Sequence, residues 1–346
     1  MKKIILRPHP YTAENEIINI IHKKITSSNK YKITKFKFWR IENYFKKKKF
    51  CDYILLHWPE SLWRSNNIFK SLIKLVYFIF IYFLSSMRGY KWCWIAHNIK
   101  PHTYVKSEVI EKIMRIFLAK FFHVTFFLNT QSKIEFENEI TKISNKITYI
   151  HHPLYDNIQN IKKYLELRCK LEKKNKKNKK FLRLLSINLL TRKKKIGTEF
   201  IKFWEKNFYD KNYQLVVTGA KKNFVKNNII YLKGFLSNKN LKKEIFLSDA
   251  LLLTQKEITN SGQLFLAMTY PTRVICWKNN FFKKNDLNNQ CIMNNNLFSV
   301  NNFKKSLDQI YKRDFFSKIN KCKYIKNLSN LNLNLFLKKF NSGFND

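Results

Sequence analysis

The stretch Gly234–Ile275, GFLSNKNLKKEIFLSDALLLTQKEITNSGQLFLAMTYPTRVI, decides the fold. Its apolar runs Ala250–Leu253 and Arg273–Cys276, the second ending one residue beyond the stretch, predict two buried strands. Asn238–Leu247 predicts a helix before the first strand, and Gly262–Met268 predicts a helix between the two. A helix that connects two buried strands is typical of a parallel sheet covered on both faces.

The same alternation of strands and helices extends outward through the chain. The predicted strands of the first half are Lys3–Leu6, Lys32–Phe38, Tyr53–Leu56, Lys91–Ala96, His123–Leu128 and Lys146–Ile150. Three further strands precede the two described above: Phe181–Ile187, Tyr213–Val217 and Ile229–Leu232. The pattern therefore predicts an α/β chain with two Rossmann-like domains.

The length of 346 residues suits two domains. Between the two alternating halves the sequence becomes dense in Lys and Glu and ends in KLEKKNKKNKK at residues 170–180, a run that is usually solvated. We therefore predict a first domain over residues 1–165, a charged linker over 166–180 and a second domain over 181–320. We expect a helical segment over 321–346 to pack back on the first domain.

The net charge is +44, from 67 basic and 23 acidic residues. Such a charge indicates a polyanionic partner, whether nucleic acid, anionic lipid or a phosphate-rich ligand. The alternative is compositional drift in an AT-rich coding sequence, because Lys, Asn, Ile and Phe are abundant in loops as well. Both interpretations remain open at this point.

One apolar segment, Leu72–Leu84, lies within a predicted helix over Ile68–Met87. Lys74 interrupts it, and a spanning helix needs about 20 apolar residues, so we predict that the segment does not cross a bilayer. It is either a buried helix or one that lies in the membrane interface. The flanking cations favour the interface slightly: Lys70, Lys74, Arg88 and Lys91.

Several chemical classes lack their motifs in this sequence. It contains no GxGxxG, no GxxxxGK[ST], no HExxH and no DxD, which disfavours dinucleotide oxidoreductases, P-loop NTPases and an obvious metal site. The six cysteines form no CxxC pair and no Cys/His cluster, which indicates reduced thiols in a cytosolic protein.

Polar residues follow the predicted strands at the edge where parallel sheets bind ligands. In the first half these are His57, Trp58 and Glu60 after one strand, and His97, Asn98 and His102 after the next. In the second half they are Gly219, Gly234 and the turn that contains Glu257, Asn260, Ser261 and Gly262. Candidate ligand-binding residues therefore lie in both halves.

The turn that ends in Ser261-Gly262 opens a helix. Backbone N–H groups at a helix start attract anions, so this turn suits a diphosphate. The alternative is a plain N-cap made by Asn260 or Ser261, with no ligand. A basic run from Arg192 to Lys195 precedes another predicted helix, and it is either a phosphate contact or a solvated loop.

Three segments resemble a known group of proteins. DYILLHWPES (Asp52–Ser61) and WCWIAHNIKPH (Trp92–His102) are similar to the D-x-x-x-x-H-W-P-E and W-T-A-H-N-x-x-P-H motifs of bacterial exopolysaccharide glycosyltransferases. The stretch Gly234–Ile275 resembles the donor-binding region of GT-B transferases with a family-4-like C-terminal domain.

The resemblance implies a GT-B fold, with two Rossmann-like domains that face a central cleft. The implied catalytic residues are His97, which would face the transferring sugar and the leaving phosphate, and Glu257, the acidic residue of the donor turn. The implied donor-binding residues are Arg192, Lys195, Gly219, Gly234, Asn260, Ser261 and Gly262. The implied acceptor-binding residues are His9, His57, Trp58, Glu60, Asn98 and His102.

The chain departs from the family pattern at three places. Asn188 stands where a glycine usually follows the first strand of the donor domain, and Leu266 stands where a Glu usually holds the ribose. Pro271-Thr272-Arg273 replaces the common G-x-P. These departures leave the identity of the nucleotide open.

The sequence thus predicts a glycosyltransferase that uses a nucleoside-diphosphate sugar, with no cofactor or metal, on a lipid-linked or growing polysaccharide acceptor. We expect it in the cytoplasm, at the anionic inner face of the membrane, without a specific nucleic-acid partner. His9, His57 and Glu60 are candidate general bases. The alternatives are a basic protein that binds nucleic acid or anionic membrane, and a nucleotide-sugar isomerase.

Overall fold

The computed structural model describes residues 3–10, 16–35, 37–46, 49–97, 108–178, 181–190, 194–209, 212–256, 261–285, 289–312, 314–331 and 333–344. The chain divides into two compact units. Unit 1 comprises Met1–Pro153 and Leu333–Asp346, and unit 2 comprises Leu154–Asn332.

Unit 1 contains a six-stranded parallel sheet with the order β2-β1-β3-β4-β5-β6. Its strands are β1 (Ile4–His9), β2 (Tyr31–Ile33), β3 (Tyr53–Leu56), β4 (Lys91–Ala96), β5 (Val124–Phe127) and β6 (Lys146–Tyr149). The helices between them are α1 (Glu16–Ser27), α2 (Ile68–Met87), α3 (Glu108–Phe121) and α4 (Thr130–Glu139), and 3₁₀ turns span Ile41–Tyr44 and Pro59–Leu62. The central strands are apolar and buried, as expected of a sheet covered on both faces.

Unit 2 contains a seven-stranded sheet with the order β13-β12-β11-β7-β8-β10-β9, parallel except for β9. Its strands are β7 (Leu182–Ser186), β8 (Tyr213–Ala220), β9 (Phe224–Lys226), β10 (Ile229–Lys233), β11 (Ala250–Leu253), β12 (Arg273–Trp277) and β13 (Cys291–Asn294). Its helices are α5 (Ile158–Asn178), α6 (Lys194–Asn207), α7 (Asn238–Leu247), α8 (Gly262–Thr269), α9 (Asn280–Asn285), α10 (Val300–Tyr311), α11 (Phe315–Lys318) and α12 (Lys321–Ser329). The predicted class of two Rossmann-like sheets is confirmed.

The segment predicted as a charged linker, residues 166–180, differs from the structure. Most of it forms the second half of α5, which packs in unit 2 and starts beyond the observed boundary at Pro153. Ile161, Leu165 and Arg168 are buried at helical spacing, and the Arg168 guanidinium donates to the carbonyl oxygen of Ile245 at 2.8 Å. The lysine density conceals this buried stripe, because a single helix face carries it.

The C-terminal segment divides between the two units. α12 stays in unit 2, where the Tyr324 hydroxyl donates to the carbonyl oxygen of Met268 at 3.0 Å. The expected return to unit 1 is made by α13 (Leu333–Ser342) alone. Phe340 of α13 stacks on Phe126 at a ring distance of 4.9 Å.

Among the described helices, α2 is the one that is long and apolar enough to cross a membrane, judged by length and composition alone. It begins and ends at the residues that the sequence predicted. One face is buried in the core of unit 1, where Phe78 and Tyr82 pack against Trp92 at ring distances of 5.6 and 5.7 Å. Its opposite face is exposed and apolar.

Candidate active site

Three histidines end neighbouring strands of unit 1. His9 is the last residue of β1, His57 follows β3, and His97 follows β4. Since these strands are adjacent and parallel, their carboxyl ends meet at one edge of the sheet. The His57 amide donates to the carbonyl oxygen of His9 at 2.9 Å, which fixes the register of this edge.

The side chain of His57 connects two other imidazoles. Its Nε2 lies 3.0 Å from Nε2 of His22 in α1, and its Nδ1 lies 3.1 Å from Nε2 of His97. A neutral imidazole offers one N–H donor and one acceptor nitrogen. The tautomers of the three rings are therefore coupled. If Nε2 of His22 donates to Nε2 of His57, the proton of His57 is on Nδ1, which then donates to Nε2 of His97.

Burial keeps the rings of His9, His57 and His97 neutral. Desolvation lowers the pKa of His97 to about 3, with a smaller contribution from nearby His152. Desolvation and then Arg7 lower the pKa of His9 to about 4, and desolvation and three neighbouring histidines hold the pKa of His57 well below its usual value. At neutral pH these rings act as hydrogen-bonding groups and carry no charge.

Glu60 belongs to the 3₁₀ turn after β3, and a buried cation holds it there. Arg115 of α3 donates to its carboxylate at 2.9 Å, and both side chains are largely buried. A second ion pair, Arg64 with Glu111, is bidentate at 2.5 and 2.9 Å. This network positions the turn that carries Trp58, whose ring lies 5.2 Å from the His97 ring.

In unit 2, a cavity opens at the carboxyl ends of β7 and β11. Its lining includes Ser186, Asn188, Thr254, Gln255, Ser261 and Gln263. The first turns of α6 and α8 both reach it, through Ile196 and Ser261. Two helix N-termini that meet at one cavity provide a partial positive charge, which suits an anion.

The start of α8 tests one of the two residues proposed as a plain N-cap of the Ser261-Gly262 turn. Ser261 occupies the N-cap position and is buried, yet its side chain makes no capping hydrogen bond. Ser261 therefore does not cap the helix with its side chain, and the other candidate cap, Asn260, lies outside the described residues. Gln263 braces the turn instead, with Nε2 donating to the carbonyl oxygen of Ile187 at 3.2 Å.

The start of α6 depends on a glycine that the sequence reading did not single out. A Cβ added to Gly197 would lie 2.3 Å from the carbonyl oxygen of Leu189. Only glycine therefore allows α6 to approach the loop after β7 this closely.

Asn188, which replaces the usual glycine of that loop, keeps a glycine-like backbone. Its φ is 57°, in the left-handed region that asparagine tolerates better than most residues. Its backbone N–H donates to Oγ1 of Thr218, near the end of β8, at 2.7 Å. Asn188 thus adopts here a left-handed backbone that glycine favours.

Gly219 and Gly234, two predicted donor-binding residues, face each other at the edge between β8 and β10. The Gly219 amide donates to the Gly234 carbonyl at 3.0 Å, and the Gly234 amide donates to the Ala220 carbonyl at 2.9 Å. Both glycines have positive φ, 92° and 55°. Their contacts shape an irregularity in the ladder, and neither residue is part of the cavity lining described above.

Some predicted site residues lie outside the part of the chain that the structure describes. They are Asn98, His102, Arg192, Glu257 and Asn260, together with the side chain of Lys195, whose backbone belongs to α6. Within the described ranges, no group of three His, Cys, Asp or Glu side chains is arranged to hold a metal ion.

Two further residues near these edges were missed in the sequence. His22 lies in α1, far along the chain from His57, so no local motif marks their contact. Lys256 follows β11 directly, and its Nζ lies 5.6 Å from the centre of the Trp277 ring. Its position after a strand of the candidate donor edge was the available signal.

The chain matches no protein-family model and no curated protein. It is similar in structure to a sucrose-phosphate synthase from Thermosynechococcus elongatus, with a TM-score of 0.61 and 8% identity over 99% of this chain and 98% of that chain. It is also similar to a glycosyltransferase from Rickettsia africae ESF-5, with a TM-score of 0.60 and 13% identity over 99% of this chain and 97% of that chain. A UDP-forming α,α-trehalose-phosphate synthase from Burkholderia xenovorans is similar as well, with a TM-score of 0.56 and 7% identity over 99% of each chain. The chain therefore has the GT-B fold.

Proposed function

We propose that the chain is a glycosyltransferase that moves a sugar from a nucleoside-diphosphate sugar to an acceptor hydroxyl. The observation that carries the proposal is the cavity of unit 2, where α6 and α8 both begin beside the carboxyl ends of β7 and β11. The proteins of similar structure are named as a sucrose-phosphate synthase and a UDP-forming trehalose-phosphate synthase. These names support the reaction class, and the cavity supplies its chemistry.

In this reaction the acceptor oxygen bonds to the sugar carbon as the bond between the sugar and the diphosphate breaks. Negative charge grows on the leaving diphosphate, and the hydroxyl proton is taken up by that diphosphate or by solvent. Preorganised N–H dipoles at the starts of α6 and α8 stabilise that charge. Arg192, Lys195 and Lys256 would add full positive charges, and Glu257 and Asn260 would bind sugar hydroxyls. No step of this proposal requires a metal.

Unit 1 would bind the acceptor and present His97 to the reacting sugar. Because burial keeps the His97 ring neutral, the ring suits hydrogen bonding to a hydroxyl better than pairing with a phosphate. Trp58 beside it offers a flat apolar face for a sugar ring. Asn98 and His102 would extend this acceptor surface, while Glu60 is held by Arg115 and acts through the position of its turn.

We further propose a lipid-linked glycan as the acceptor, at the cytoplasmic face of the membrane. The HWPE-type and AHN-type segments, which resemble those of exopolysaccharide glycosyltransferases, support this choice. A product that forms without any acceptor would instead favour a nucleotide-sugar isomerase.

The test is a thermal-shift screen with UDP, GDP, their common sugar conjugates, and NAD as a control. A ligand at about 100 times its dissociation constant stabilises a protein by about 2.7 kcal/mol, which gives a clear shift. Ser261→Trp fills the cavity and should abolish the shift. Ser237→Trp, at the exposed N-cap of α7, is the matched control and should retain it. A folded wild type that shifts with no nucleotide contradicts the proposal.

A further inference from the structure

The exposed face of α2 is an uninterrupted apolar stripe. Seven side chains form it, and we call them the α2 stripe: Phe69, Leu72, Ile73, Val76, Phe80, Phe83 and Met87. They are between 43% and 78% exposed, and they recur at helical spacing along the whole length of the helix. A contiguous apolar patch that is exposed on a protein surface usually marks an interaction site.

The orientation of α2 in unit 1 is fixed by its opposite face. The Trp92 indole donates to Ser85 Oγ at 2.8 Å, and the Tyr82 hydroxyl donates to the carbonyl oxygen of Phe121 at 2.5 Å. Both contacts would break if the helix left the sheet to cross a bilayer. In the folded unit, α2 therefore lies along the surface and presents only its stripe.

Neighbouring elements extend the apolar surface. The ring centres of Phe83 and Phe121, the last residue of α3, lie 6.4 Å apart. The exposed side of α3 also carries Val109 and Ile113. On the other flank, the Tyr77 hydroxyl donates to the carbonyl oxygen of Trp39, a residue that is itself partly exposed. The surface thus spans α2, α3 and the loop before the 3₁₀ turn Ile41–Tyr44.

Cations surround this surface. Lys70 and Lys74 lie on the flank of α2, and Lys112 and Lys120 lie on the exposed side of α3. At the end of α2, Arg88 donates to the carbonyl oxygen of Lys46 at 2.6 Å, and Lys49 donates to that of Gly89 at 2.6 Å. The described acids of these segments are fewer: Glu42, Asp52, Glu108 and Glu111. Glu42 pairs with Arg40, Asp52 with Lys49 and the buried Glu111 with Arg64.

We infer that the α2 stripe docks on an anionic bilayer, with the stripe in the interface and the surrounding cations on lipid phosphates. An apolar helix face bordered by Lys and Arg is the pattern of interfacial helices, and anionic headgroups complement the cations. The inference goes beyond sugar transfer, because the stripe and its cations stand without the donor site. It also assigns the surface that would bring a lipid-linked acceptor to unit 1.

The experiment is co-sedimentation of the full chain with vesicles of phosphatidylcholine, with and without phosphatidylglycerol. The wild type should sediment with the anionic vesicles and much less with the neutral ones. Val76→Glu places a charge at the centre of the stripe and should weaken binding about tenfold or more. The matched control is Val225→Glu on β9, because Val225 is 67% exposed and Val76 is 64% exposed.

Three outcomes overturn the inference. The first is a wild type that does not sediment with anionic vesicles, and the second is Val76→Glu binding as the wild type does. The third is a wild-type dimer, seen by light scattering, that becomes monomeric in Val76→Glu without vesicle binding, since the stripe would then be an interface between two copies. If Val76→Glu unfolds, Phe69→Glu at the exposed first turn replaces it.

The two proposals fail separately. Val76→Glu should keep the thermal shift with nucleotide, and Ser261→Trp should keep vesicle binding. Loss of vesicle binding in the wild type with an intact nucleotide shift rejects the docking surface alone. The reverse result rejects the donor site alone.

Discussion

The carboxyl edges of the two sheets use different chemistry for the same topology. All eight histidines of the sequence lie within residues 1–153, and the edge of unit 1 is built from buried imidazoles that bond to one another. The edge of unit 2 has no histidine and relies on backbone, with two helix starts and residues of positive φ. The edge of unit 1 therefore depends on paired buried side chains. The edge of unit 2 depends on the close approach of its main chain to a ligand.

The largest expected effect tests the paired side chains of unit 1. Arg115→Met leaves the Glu60 carboxylate in a mostly buried position without its cation, which should cost about 3–5 kcal/mol of the free energy of unfolding. Urea denaturation measures it. The double variant with Glu60→Gln should recover part of the loss. Equal stability of Arg115→Met and wild type would show that unit 1 does not depend on the Arg115–Glu60 pair.

The next effect tests the close main-chain approach in unit 2. Gly197→Ala forces its Cβ against the carbonyl oxygen of Leu189, a backbone atom that cannot simply rotate away. We expect about 1–3 kcal/mol of destabilisation and weaker nucleotide binding. Glu199→Ala, at an exposed position of α6 outside the cavity lining, serves as the control and should show near wild-type nucleotide binding by calorimetry. A Gly197→Ala variant that binds as the wild type does would show that this approach is unimportant.

The most gradual effect is the response to acid, because the loss of stability is spread over several pH units. The pKa of His97 is lowered to about 3 and that of His9 to about 4, so the unfolded state binds protons first as the pH falls below about 6.5. Stability contributed by these rings is therefore complete above that pH and is lost toward pH 4, at about 1.4 kcal/mol per pH unit and group. His97→Gln should flatten the dependence of unfolding free energy on pH between 6 and 4. An unchanged slope would contradict a buried neutral His97.

The sequence predicted much of this arrangement. Strands of apolar residues followed by polar ones located His57, His97 and Ser261 at sheet edges, and the bounds of α2 follow from its apolar length. The contact between His22 and His57 was beyond reach, because the pairing depends on how α1 packs. The left-handed backbone of Asn188 was equally hidden, since asparagine tolerates other conformations too. In α5 the many lysines masked a buried stripe that only the tertiary partners make visible.

We propose that sugar transfer requires His97 of unit 1 and the cavity of unit 2. The most direct measurement is transfer from the nucleotide sugar that gives the largest thermal shift, followed by mass spectrometry of the acceptor product, in wild type, His97→Ala and Ser261→Trp. We expect His97→Ala to bind the nucleotide normally but to transfer little or no sugar. Ser261→Trp should lose both nucleotide binding and sugar transfer. Unchanged transfer in both variants would contradict the proposal.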